Sequence, residues 1–279
     1  MTRLLIILLL FVSCMVNTTQ TAKAKAIVYS IQISQIKSDT LLIGIQSKIY
    51  DAFIQDMMSK NNKAISKNNK ALLKDNKALS ELSKSLNELN KSKKQNLILY
   101  WQSYLQFYSS IYYFKKGDKE TAEKEIDKGI KWLNEMNNKN SEDYALLAML
   151  QGFGIQFKGM KAIFISEDIK ENLKKAIAID TSNLRAYYVS ASNDFHTPLK
   201  YGGGKKTEKY LLKAISLPIQ KIKNNYLPSW GKEEAYEMLI KFYIKNEKWN
   251  LAKKYFQEGI KFYPQSYTIS QLAIKLINK

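Results

Sequence analysis

The sequence predicts an all-α fold made of antiparallel helix pairs, and three observations support this. Only 11 glycines and 4 prolines occur in 279 residues, so few positions interrupt a helix. Apolar residues recur every three or four positions along most of the chain, which is the spacing of one helix face. Hydrophobic residues make up 45% of the chain, enough to bury a substantial core. We expect this core to lie between stacked helices.

The N-terminal residues are predicted to be an export signal. Arg3 precedes the apolar run Leu4–Val12, which is too short for a stable membrane-spanning anchor. We therefore predict a signal peptide over residues 1–13. The end of the run and Cys14, the sole cysteine, resemble a bacterial lipobox, which predicts a lipid on Cys14 at the periplasmic side of an envelope membrane. An ordinary secretory signal cleaved near Ala22–Ala24 is the alternative.

Two further segments precede the repeats. Residues 14–38 include a weak strand-like alternation at residues 27–33 but the sequence offers no later partner strand, so they are assigned to a tether. Residues 39–94 are predicted to form N-terminal helices. An amphipathic pattern covers residues 41–60, and a heptad motif recurs from residue 61 to residue 90. The heptad helix is either an arm that grips a partner or a solvated helix lying on the next helix. Its repeated apolar position holds Ile65, Leu72, Leu79 and Leu86.

Residues 95–279 are predicted to form repeated helix pairs, of which the last has the clearest pattern. Large residues lie on one face of its first helix, and small residues on its second helix allow that helix to approach closely. Pro264 ends the pair because proline cannot extend the helical hydrogen bonds. The positions that carry the pattern are Tyr236, Leu239, Ile240, Tyr243, Ala252, Phe256 and Gly259.

Three earlier units have the same organisation. In the first, Gly117 is predicted to end one helix and Asp118 to cap the next. The second unit ends at the turn sequence Asp180–Asn183. The third begins at Arg185–Tyr188 and is interrupted by Thr197–Gly204 before its second helix. Together with the last pair, these units predict four consecutive helix pairs.

This pattern resembles the tetratricopeptide repeat over about residues 97 to 265. Thr197-Pro198, the triple glycine that follows and Trp230–Ala235 are similar to a secreted or lipid-anchored subgroup of tetratricopeptide-like proteins in Bacteroidota. The resemblance implies an α-solenoid whose first helices line a concave face. The candidate binding groove on those helices comprises Tyr104, Phe107, Ile111, Arg185, Tyr188, Ser192, Glu234, Glu237 and Lys241.

The resemblance implies no defined activity, because proteins with this repeat have diverse functions. From the concave face we predict an envelope-located interaction scaffold or adaptor with a protein or peptide partner. The alternative is an accessory or solute-binding component of a periplasmic uptake system, similar to the T component of tripartite transporters. No catalytic residue, cofactor or metal site is predicted. His196 is the only histidine, and Gly202–Thr207 lacks the hydroxyl residue that must follow the lysine of a phosphate-binding loop. An enzyme is not expected.

The net charge and the kind of basic residue limit which classes of partner we expect. A formal net charge of +19 would attract anionic polymers or membrane surfaces. Only Arg3 and Arg185 among the 44 basic residues are arginines, whereas nucleic-acid recognition favours the bidentate guanidinium group. We therefore expect no nucleic-acid partner and predict a solvated lysine-rich surface, with membrane attachment through the lipid at Cys14.

Overall fold

The computed structural model describes residues 40–59, 76–277 and 279. The predicted signal peptide, Cys14, the tether and the first copies of the heptad motif lie outside the described residues. The chain divides into two compact units, residues 1–45 and residues 46–279. In the first unit, the described residues form a turn and the first residue of a helix; the helix pairs belong to the second unit.

The described residues form helices and turns with no strand among them, which confirms the all-α prediction. Short 3-10 helices interrupt the connections at Ile155–Phe157, Gly159–Lys161 and Leu199–Tyr201 and follow the last α-helix at Gln271–Lys275. The α-helices are α1 Ile45–Met58, α2 Lys77–Lys93, α3 Asn96–Lys115, α4 Lys119–Glu135, α5 Ser141–Gly154, α6 Ala162–Ile179, α7 Leu184–His196, α8 Thr207–Ser216, α9 Lys232–Lys245, α10 Trp249–Phe262 and α11 Tyr267–Ser270.

Consecutive helices pack as the four predicted pairs, α3 with α4, α5 with α6, α7 with α8, and α9 with α10. Short connections within the pairs make the two helices of each pair antiparallel neighbours. The first helices also contact one another from pair to pair, α5 with α7 and α7 with α9. The arrangement is therefore a solenoid-like series of helix pairs, as the sequence predicts.

Side-chain caps explain where several helices begin. The Asp118 carboxylate accepts a hydrogen bond from the Thr121 amide at 3.0 Å, as predicted, and Gly117 precedes it with φ +85°. Asn183 caps α7 by accepting from the Arg185 amide at 2.9 Å. Asn140 begins α5 in a reciprocal capping box with Asp143.

Two glycines permit close contact between neighbouring helices. A Cβ at Gly129 would lie 2.7 Å from Leu150 Cδ2 and 3.2 Å from the Ser103 carbonyl oxygen. The Ser103 hydroxyl donates to the Gly129 carbonyl at 3.0 Å, which holds α4 against α3. Gly259 is less tightly enclosed, since its added Cβ would lie 3.4 Å from Ile269. Small residues on the second helices therefore allow the neighbouring helices to approach closely, as predicted.

The N-terminal helices differ in detail from the prediction. The helix expected over residues 41–60 begins at Ile45, because Gly44 has φ +63° and cannot be a helical residue. Leu79 and Leu86 of the heptad pattern are buried, and α2 packs against α3. The Asp56 carboxylate accepts from the Leu79 amide at 2.9 Å, so α1 caps α2.

Candidate binding surface

Trp230 is the centre of an aromatic cluster formed by the first helices α3 and α7 and the segment between α8 and α9. Its side chain is 3% exposed, and its indole nitrogen donates to the Tyr100 hydroxyl at 2.9 Å. The ring stacks on Tyr104, with centroids 6.0 Å apart, and meets Tyr188 edge-on at 6.3 Å. Trp230 therefore joins α3 to α7, two helices that belong to non-consecutive pairs.

Arg185 holds the same region together by ionic contacts. Its guanidinium group makes a bidentate pair with Glu142, at 2.5 Å and 2.6 Å, which joins the start of α7 to the start of α5. The same group donates to the Trp230 carbonyl at 3.1 Å and to the Ile219 carbonyl at 3.1 Å. Only 4% of Arg185 is exposed. The buried guanidinium group of Arg185 thus joins the starts of α5 and α7 to the α8–α9 segment.

Helix α1 packs beside the Trp230 cluster. Its Phe53 ring contacts Tyr108 of α3 at 5.2 Å, and Tyr50 contacts the same tyrosine at 6.2 Å. Near the start of α1, the Gln46 side-chain oxygen accepts from the Ser229 amide at 2.8 Å and the Trp230 amide at 3.1 Å. The surface of the first helices therefore already accommodates a helix of the same chain.

Burial in the cluster disfavours the negatively charged forms of its tyrosines and of Glu234. Burial raises the pKa of Tyr188 and, at α3, the pKa values of Tyr104 and Tyr108. Burial also raises the pKa of Glu234, although its carboxylate accepts from the Gly231 amide at 2.7 Å and so caps α9. The phenols remain protonated hydrogen-bonding groups, and the carboxylate has a local structural partner.

The structure separates the nine predicted groove residues into two sets. Tyr104 and Arg185 are buried and have partners within the chain, so they face the interior rather than a solvent-filled groove. The half-buried residues are Phe107, Ile111, Tyr188, Ser192, Glu234 and Glu237, and Lys241 is exposed. For this second set the binding role stays a prediction.

Sequence reasoning missed the residues that occupy the groove. Trp230 was noted only as part of the motif before α9, and Glu142 and Tyr108 were not identified as partners of the predicted residues. The pairing of Arg185 with Glu142 spans 43 positions, which no local periodicity reveals. One signal was available: Arg185 is one of two arginines in a lysine-rich chain, and bidentate buried pairs favour arginine.

The glycine-rich connection between α7 and α8 has a structural role. Gly202 and Gly204 have φ +85° and +81°, and a Cβ at Gly203 would lie 1.9 Å from the Thr197 carbonyl oxygen. The Asp194 carboxylate accepts from the Thr207 hydroxyl at 2.7 Å and so ties the connection to α7. This geometry is the tight turn that the glycines predict.

Comparison with known proteins identifies no family for the chain. No family model matches it, and no curated protein matches it. Among solved structures it is similar to the HusA haemophore from Porphyromonas gingivalis, with 16% sequence identity and a TM-score of 0.46; the match covers 70% of this chain and 90% of the haemophore. Similarity at this level carries no inference about ligand or function.

None of the helices within residues 40–59 and 76–277 combines the length and the apolar character needed to cross a bilayer.

Proposed function

We propose that this chain is a tetratricopeptide-like interaction scaffold, held by a lipid on Cys14 at the periplasmic side of a bacterial envelope membrane. The observation that carries the binding role is the position of α1, which lies with Phe53 and Tyr50 against Tyr108 of α3. A surface that packs against one helix through aromatic side chains has the chemistry to bind another.

The binding surface of this proposal is the part of the first helices that the chain itself leaves partly open. Phe107 and Ile111 extend from the aromatic cluster along α3, and on α9 the half-buried Glu237 pairs with the exposed Lys241. Successive first helices place such groups side by side. A mixture of aromatic and charged groups suits a helix or an extended peptide, with the aromatic residues as anchors.

Affinity capture from detergent-solubilised membranes, followed by identification of the retained protein, tests the scaffold role. With that partner in hand, Phe107→Ala should weaken binding by more than about 1 kcal/mol. Phe262→Ala is the matched control, since Phe262 is an exposed phenylalanine on the second helix α10. Equal affinities for the two folded variants would refute the assigned surface, and recovery of a transporter assembly would favour the uptake-accessory alternative.

Mass spectrometry of the exported protein tests the anchor separately. A diacylated N-terminal cysteine at position 14 is expected in a host with lipoprotein machinery, and Cys14→Ser should abolish this modification. An unmodified N-terminus downstream of Cys14 would instead identify an ordinary secretory signal.

A further inference from the structure

The connections within the four helix pairs lie along one edge of the second unit. Arg185 and Glu142 bring the starts of α7 and α5 together, so the ends of these helices are also on the same side. The end of α3 meets the end of α5 through Phe114 and Phe153, with ring centroids 6.1 Å apart. The Lys245 ammonium group at the end of α9 lies 5.1 Å from the ring of Phe195 near the end of α7.

We define the hairpin edge as residues 115–119, 155–164, 197–206 and 245–248. The opposite edge contains the connections between pairs, including the α8–α9 segment.

Large apolar side chains project from two neighbouring connections of the hairpin edge. Met160 is 92% exposed, Ile163 73% and Phe164 74% in the α5–α6 connection and the first turn of α6. Leu199 is 77% exposed and Tyr201 72% in the α7–α8 connection. Large apolar side chains exposed on adjacent connections favour a surface that contacts something.

Lysines surround these apolar groups. Lys161 lies between Met160 and Ile163 in sequence, and Lys200 lies between Leu199 and Tyr201 with its ammonium group 4.9 Å from the tyrosine ring. The lysines at positions 161, 200, 205 and 206 are all exposed.

Other charged groups of the α5–α6 connection are held by the protein itself. Lys158 lies 2.7 Å from both Glu123 and Asp127 of α4. The exposed lysines and the exposed apolar side chains, called the apolar tips below, therefore form a surface of cationic and apolar groups. The ion pairs of Lys158 hold the α5–α6 connection against α4.

We propose that the hairpin edge docks on an anionic lipid bilayer. The apolar tips enter the headgroup region, and the flanking lysines contact anionic headgroups with their aliphatic stems against the tips. Charge complementarity identifies the surface as anionic lipid, because the exposed cations alternate with groups that favour the interfacial region. Docking of this kind orients the helix pairs relative to the membrane, which a lipid on Cys14 alone does not do.

A site-specific probe separates this contact from any contribution of the N-terminal apolar run. The full chain carrying Cys14→Ser and Phe164→Cys is labelled with an environment-sensitive dye and mixed with vesicles of phosphatidylglycerol or of phosphatidylcholine. The matched control carries Ile222→Cys instead, because Ile222 is 81% exposed on the opposite edge between Lys221 and Lys223. Circular dichroism melts verify that both labelled chains are folded.

The dye at position 164 should brighten several-fold with phosphatidylglycerol vesicles, and the dye at position 222 should change little. Adding Lys205→Gln and Lys206→Gln to the Phe164→Cys chain should weaken vesicle binding at least fivefold, whereas Lys221→Gln with Lys223→Gln should change it less than twofold. Equal responses at the two dye positions, no response at position 164, or an equal response with phosphatidylcholine would each overturn the proposal. Retention of a soluble protein through the same residues without a vesicle response would also overturn it.

Discussion

The first-helix cluster around Trp230 and the hairpin edge use similar side chains in opposite ways. Both contain aromatic rings close to cations, Trp230 with Arg185 and Tyr201 with Lys200. At the cluster, the rings and the cation are buried under a distant segment of the same chain. At the hairpin edge, the same kinds of groups remain exposed.

The difference shows that residue type alone does not decide which surface of a helical repeat protein is open. Trp230 and α1 cover part of the first helices, where aromatic residues were predicted to form a groove. No described segment covers Met160 or Phe164. Substitutions in the Trp230 cluster should therefore affect stability more than substitutions in the hairpin edge.

Arg185→Lys should have the largest effect. A lysine keeps the positive charge but cannot reproduce the bidentate contact with Glu142 together with the two carbonyl contacts, so buried acceptors lose hydrogen bonds. We expect the free energy of unfolding to fall by about 2–3 kcal/mol, because hydrogen bonds from a charged group are lost while the charge is kept. Chemical denaturation measures this change, with exposed Lys200→Gln as the control. A loss below about 1 kcal/mol would mean that the cluster does not depend on this cation.

Gly129→Ala should have the next largest effect, since α4 lies close beneath the first helix α3. The added methyl group would overlap Leu150 and press on the Ser103 carbonyl, so we expect a loss of about 1–3 kcal/mol. Gly259→Ala is the control at an equivalent position, where the added Cβ makes ordinary contacts beginning at 3.4 Å. Thermal melts that rank the two substitutions in the reverse order would contradict this account of the helix contacts.

Asp143 makes the stability of the cluster region depend on pH. Burial at the start of α5 raises the pKa of its carboxyl to about 7. Between pH 5 and pH 7 the folded protein therefore holds a proton that the unfolded chain has released, and the free energy of unfolding falls as the pH rises.

We expect this loss to be about 2 kcal/mol over that interval, because one bound proton corresponds to about 1.4 kcal/mol per pH unit and the folded carboxyl is half deprotonated by pH 7. Asp143→Asn should flatten the dependence, as measured by denaturation at a series of pH values. An unchanged slope in the variant would assign the pH dependence to other groups.

Phe164→Ser should have the smallest effect on stability. Its ring is mostly exposed, so the change should stay within about 0.5 kcal/mol. Thermal melts in the absence of lipid measure it, beside Ile222→Ser at the opposite edge. A larger loss would show that the hairpin edge is part of the packed structure and would remove the contrast with the cluster.

Local signals predicted much of the fold. Helical periodicity gave the four pairs, Gly117 and Asp118 marked a real boundary, and the glycines near Gly203 formed the expected tight turn. These features depend on residues a few positions apart. The boundary at Gly44 was missed because glycine also occurs inside helices at modest cost, so its residue type alone did not indicate a positive φ.

The candidate site was only partly predictable because its occupants are distant in sequence. The nine groove residues were placed by their positions on first helices, and Tyr104, Arg185 and Tyr188 do meet in one region. Trp230 fills this region through contacts that cross more than one helix pair. One of them is its hydrogen bond with Tyr100, 130 positions away. A pattern within one repeat contains no information about such contacts.

The hydrogen bonds from Ser229 and Trp230 to Gln46 have a consequence for folding. Helix pairs that contact only their neighbours can form and unfold one after another. Here one side-chain oxygen near the start of α1 joins a segment 183 positions away. This link closes late because it requires α3, α7 and the α8–α9 segment to be in place. It couples α1 to the segment between the last two pairs, so we expect the repeats to melt as one cooperative body instead of fraying from the ends.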